Sequence, residues 1–261
     1  MVFSFLKKSV ENKNTEKYFR TSLYVSFGTM VVALALSFLH LNQPFRSIYA
    51  LSNIQTSWLS REILTASLFL FLIALTAFLY HLKRTSSGVI NKMILATAVA
   101  GVLFIYSMSR IYMIPTVPAW NNPTTITGFF ATTLVLGSAL ALSLYSKNVK
   151  GSLSNEVKDK FPPFLESIIL LAVLIKIVNY LLISPEVSSE MAGFPAQPLA
   201  GIIPLLHWVF LLIGVSLIAA GAFRKNEIKN YNIFFIAFGC FFVSEFFDRV
   251  VFYASYFRIG L

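Results

Sequence analysis

Four ionisable residues lie between two long apolar runs near the start of the chain: His40, Arg46, Arg61 and Glu62. They belong to FLHLNQPFRSIYALSNIQTSWLSREI, residues 38–63, which begins as one apolar run ends and stops as the next begins. A histidine and a carboxylate at a membrane edge suit quinol chemistry. Oxidising a quinol releases two electrons and two protons, so a site needs bases beside the ring hydroxyls and an apolar slot for the tail. Histidine titrates near neutral pH, and partial burial moves a carboxyl towards it. His40 and Glu62 would be those bases, with Arg46 and Arg61 tuning them or contacting a partner. The same residue types also serve as ordinary membrane-edge groups, and spacing alone leaves both readings open.

Ionisable groups inside apolar runs are costly unless paired or hydrated, so each needs an account. Glu245, Asp248 and Arg249 lie in the last run. Glu245 and Arg249 are four residues apart with the acid first, which predicts an ion pair on one helical face, either a structural lock or part of a proton path. Arg110, near the end of the third run, could join that pair or bind a partner carboxylate. Lys176 lies mid-run with Glu166 and Asn179 on the same segment. A retinal-binding lysine belongs in a seventh helix, and the seventh run has none, so Lys176 is expected to bond a backbone carbonyl or an acid on a neighbouring helix.

Three histidines limit haem ligation, which needs an axial pair at matching depth. His81 and His40 lie at opposite ends of their runs, and His207 lies roughly 12 Å into the sixth at 1.5 Å per residue. The only conceivable pair, His40 with His207, fits poorly, and no haem is expected. Cys240 is the single cysteine, which excludes an internal disulfide and a cysteine-ligated cluster.

The elements that must position these groups are membrane helices. The 261 residues are 57% hydrophobic and 12% charged, against about a quarter charged in soluble domains. Runs of about 20 apolar residues recur. They predict an all-α integral membrane protein with a bundle of seven spanning helices, at 21–41, 62–82, 90–113, 125–146, 163–184, 199–222 and 231–257. A short segment, 1–20, precedes the helical domain, 21–261, and its apolar stretch is too short for a cleavable signal.

The net charge of +10 does not mark a nucleic-acid partner, because the Lys and Arg residues gather in alternate loops. Fifteen fall on the side of the N-terminus and four, Arg46, Arg61, Arg110 and Arg258, on the other. That bias puts the N-terminus in the cytoplasm and the C-terminus outside. The outer loops 42–61, 114–124 and 185–198 hold seven prolines together with Trp58 and Trp120. Such loops can form a fixed platform for an outer partner, or simply connect helices.

In order and spacing, LHLNQPFRS (39–47), LSREI (59–63), SRIYMIPTVPAW (109–120), GFFATT (128–133) and SEFFDRVVFY (244–253) resemble the membrane anchor subunit of bacterial dimethyl sulfoxide reductases, the DmsC type. Between 147 and 230 the likeness is mainly one of hydrophobicity. The resemblance implies a heterotrimer in the bacterial inner membrane, with a molybdopterin catalytic subunit and a four-cluster iron–sulfur subunit on the outer face. The anchor would oxidise menaquinol, pass electrons to the nearest cluster and hold no haem. The histidine of the LH motif and the glutamate of the S-x-E motif, here His40 and Glu62, are the positions implicated in menaquinol binding. The family has eight helices, and MVFSFLKK looks like the tail of the first, so one helix is expected to be missing from this sequence. The competing readings are a purely structural anchor or assembly protein, and a small-solute transporter with Lys176, Glu166 and Glu245 along its path.

Overall fold

The computed structural model describes residues 13–39, 49, 51–82, 86–148, 155–190, 201–223 and 231–256. Seven long helices account for nearly all of them: α1 (Lys13–Leu39), α2 (Trp58–His81), α3 (Ser87–Ile111), α4 (Pro123–Asn148), α5 (Asn155–Glu190), α6 (Ile202–Phe223) and α7 (Tyr231–Ala254). A single turn of 3-10 helix, Leu51–Asn53, precedes α2. Each helix coincides with an expected span. Six of them, α1 to α6, are long and apolar enough to cross a membrane; α7 has its apolar run broken by Glu245, Asp248 and Arg249. Because lipid offers no hydrogen bonds, helices that satisfy their own backbone are what such a composition can build. The result is a multi-pass helical membrane protein.

Helices α1 and α5 begin earlier than the sequence expectation, at Lys13 rather than 21 and at Asn155 rather than 163, and two further boundaries differ as well. Helix α2 begins at Trp58 rather than at Glu62, because Ser57, extended at φ −108° and ψ 124°, caps it by accepting from the Ser60 backbone N–H. Arg61 therefore sits within the first turn of α2, not in a loop. Helix α5 runs through Pro162, Pro163 and Pro185, so the segment from 185 to 190 is helical rather than loop. Membrane helices tolerate prolines where neighbouring groups take over the freed carbonyls.

The protein forms two compact units, Met1–Ile111 and Tyr112–Leu261. In the first, α2 lies against α3 through the stacked rings of Phe69 and Phe104 and the Thr76–Thr97 hydroxyl pair at 3.3 Å. Helix α1 meets α2 through Phe19 on Tyr80 and a hydrogen bond between the Tyr24 hydroxyl and His81 Nδ1. In the second unit, α6 and α7 approach closely because Gly214 leaves room for Phe241, which is fully buried. The Ser143 hydroxyl of α4 donates to the Phe234 carbonyl of α7 at 2.8 Å.

Candidate functional site

Glu62 is the fifth residue of α2 and is half-buried. Among the described residues its carboxylate has no ion-pair partner. Arg61 beside it turns back onto the preceding turn: Nε donates to the Ile54 carbonyl at 2.9 Å and Nη2 to the Gln55 carbonyl at 2.6 Å. Its guanidinium lies 4.3 Å from the Trp58 ring centre, and that of Arg110 at the end of α3 lies 4.9 Å from the same ring. Trp58 also meets Tyr106 edge to face at 5.7 Å. One tryptophan thus gathers two arginines and a tyrosine within about one turn of Glu62. His40 and Arg46 lie outside the described residues; the last described residue of α1 is Leu39.

The second unit holds a polar cluster built from four helices. Lys176 of α5 reaches both Glu245 Oε2 and Asp248 Oδ2 of α7 at 2.8 Å, with the lysine side chain 5% and that of Glu245 3% exposed. The Thr132 hydroxyl of α4 donates to Glu245 Oε2 at 2.6 Å and accepts from Arg249 Nη2 at 2.8 Å. The Arg249 guanidinium lies 4.0 Å from the Phe129 ring centre. From α6, His207 Nδ1 lies 3.0 Å from both the carbonyl and the hydroxyl of Ser244, and that hydroxyl donates to the His207 carbonyl at 2.9 Å.

This corrects the expected Glu245–Arg249 ion pair. Four-residue spacing puts the two side chains on one face, but Glu245 pairs with Lys176 and meets Arg249 only through Thr132. An ammonium is a compact charge that can serve two carboxylates at once, whereas a planar guanidinium gains more from an aromatic face and a hydroxyl. Lys176 does bond an acid on a neighbouring helix, as expected. Arg110 packs on Trp58 in the first unit. Thr132, Ser244 and His207 carry no mark of partnership in the sequence, because polar groups spread over separate helices leave no spacing signal.

The segment after α3 is tightly built. Trp120 Nε1 donates to the Phe252 carbonyl at 2.8 Å, the Tyr112 and Tyr253 hydroxyls are 2.9 Å apart, and Tyr112 also contacts Trp120, Phe129 and Phe252. Asn122 caps α4, its Oδ1 accepting from the backbone and hydroxyl of Thr124, with Pro123 at the first helical position.

Helices of this length, a paired-charge cluster held between spans, and a carboxylate near an Arg–Trp–Arg assembly define a multi-pass membrane protein with one polar site within its spans and another at a helix end. The protein belongs to the DMSO reductase anchor subunit (DmsC) family, whose model matches residues 1–255. It is 24% identical to the C subunit of the anaerobic dimethyl sulfoxide reductase of Haemophilus influenzae, over all of its own length and 90% of that relative. Its identity to the corresponding C subunit of Escherichia coli is 28%, over 92% of its own length and 81% of the relative. A third relative, the YnfH subunit of an Escherichia coli anaerobic dimethyl sulfoxide reductase, is 32% identical over 44% of this protein and 40% of its own length. No solved structure matches.

Proposed function

We propose that this membrane anchor oxidises menaquinol and passes the electrons to an iron–sulfur subunit of a molybdopterin-containing reductase. The observation that carries the reading is Glu62: a half-buried carboxylate at a helix end, without an ion-pair partner among the described residues and within one turn of Trp58. A carboxylate already neutralised by a cation would be a poor base, and among the described residues none neutralises this one. Glu62 takes one quinol hydroxyl proton and His40, next in sequence to Leu39, takes the other. The two electrons leave to the nearest cluster of the partner subunit, and the ring is released as quinone. Arg61 and Arg110 hold Trp58 as a fixed wall of the site, and Arg46 would bias it towards the anionic form of the quinol.

The charge bias of the loops supports a cytoplasmic N-terminus and an outer C-terminus in the bacterial inner membrane, which puts Glu62 on the outer side. The braced segment from Tyr112 to Asn122 then faces outward too, and offers the iron–sulfur and molybdopterin subunits a firm seat. The names of the relatives agree with a role in anaerobic reduction of dimethyl sulfoxide.

The test is the assembled complex carrying Glu62→Gln or His40→Arg. Both variants should assemble normally yet lose menaquinol-dependent reduction by about a hundredfold, the scale of removing a positioned base. Reduction by an artificial dye that feeds the partner subunits directly should persist. Wild-type menaquinol turnover in both variants would remove the site from consideration.

A further inference from the structure

Of the seven long helices, α7 is the one whose apolar run is broken by three charges, Glu245, Asp248 and Arg249. Unpaired charges of this kind resist entry into lipid. Each of the three has its partner on a helix made earlier in the sequence. Lys176 of α5 serves both carboxylates at 2.8 Å, and Thr132 and Phe129 of α4 receive Arg249. The lysine is itself a charge within an apolar span, Phe161–Leu182, and is as much in need of α7 as α7 is of it. Lys176 and Glu245 are both sheltered, and of the three members of the pairing only Asp248, with 33% of its side chain exposed, is open.

We propose that Lys176 is the insertion partner of α7: its ammonium takes Glu245 and Asp248 into the bilayer, and so places the C-terminus on the far side of the membrane. Synthesis from the N-terminus puts α5 in place before α7 emerges. Arg249 then closes onto α4 through Thr132, and Ser244 onto His207 of α6, which fastens the last helix to three earlier ones. The proposal rests on the outward C-terminus proposed above. It also defines a charge rule. Removing Lys176 alone strands the two carboxylates without their ammonium, whereas removing Lys176, Glu245 and Asp248 together leaves Arg249 as the one charge of α7, received by Thr132 and Phe129 of α4.

The full-length protein is fused at its C-terminus either to alkaline phosphatase, active only outside, or to green fluorescent protein, fluorescent only inside. Signals are normalised to protein amount. Wild type should give phosphatase activity and little fluorescence. Lys176→Leu should lower phosphatase activity by at least about tenfold, since stranding one charge in an apolar segment shifts insertion by roughly a hundredfold, and raise fluorescence. Lys176→Arg should keep the wild-type pattern, and the triple variant K176L/E245Q/D248N should return to within about twofold of it. If K176L is degraded, the triple variant still decides, because recovered abundance with an outer C-terminus supports the charge rule. An unchanged K176L, or a triple variant as deficient as K176L, overturns the proposal. A cytoplasmic C-terminus in wild type overturns the orientation first and the proposal with it.

Discussion

A single hydroxyl, that of Thr132, joins two charged residues of α7 that do not pair directly: it donates to Glu245 and accepts from Arg249. Thr132→Val keeps the shape and removes both hydrogen bonds, leaving Glu245 Oε2 with Lys176 alone and Arg249 Nη2 with only the Gly128 carbonyl at 3.4 Å. Such a loss costs about 1–3 kcal/mol. The unfolding temperature of the purified protein in detergent should therefore fall for Thr132→Val and be nearly unchanged for Thr132→Ser. The residues of this cluster were partly legible in the sequence. Lys176, Glu245, Asp248 and Arg249 stand out as charges in apolar runs, but their pairing does not. Spacing along one helix favours Arg249 as the partner of Glu245, and only the approach of α5 shows that Lys176 takes that place. At Glu62 the sequence pointed to the residue, while the guanidinium–indole assembly beside it required α3 to bring Arg110 onto Trp58.

The helices follow from hydrophobic length, and their ends follow from local chemistry. Ser57 starts α2 before its apolar run begins, so the boundary lies earlier than hydropathy alone implies. Where helices meet, small residues decide how near they come. A Cβ at Gly214 would stand 2.6 Å from the Phe241 ring, so Gly214→Ala must push α6 and α7 apart or turn the ring. Overpacking of this kind costs about 1–3 kcal/mol. Gly214→Ala should lower the unfolding temperature in detergent, and the same substitution should cost less in a Phe241→Leu background, where the ring no longer meets the new methyl. A Gly214→Ala protein as stable as wild type would show that the seam yields freely.

At the scale of the whole molecule, charge sets sidedness. The net charge of +10 is concentrated on alternate connections, so the protein should lie in the membrane with those connections inward. Cysteine accessibility in intact cells tests this. With Cys240 replaced by serine, Thr116→Cys, in the segment after α3, should react with a membrane-impermeant thiol reagent. Ser86→Cys, just before α3, should react only after the membrane is opened. The opposite labelling pattern would invert the orientation.

Composition and the length of the apolar runs were sufficient to determine a membrane protein of seven long helices, because lipid leaves the backbone few alternatives. The order of short motifs was sufficient to point to the anchor family. Which charge answers which was settled by tertiary structure, since a buried ion takes the partner that satisfies the most groups. For Glu245 that partner was Lys176 on α5 rather than Arg249 on its own helix.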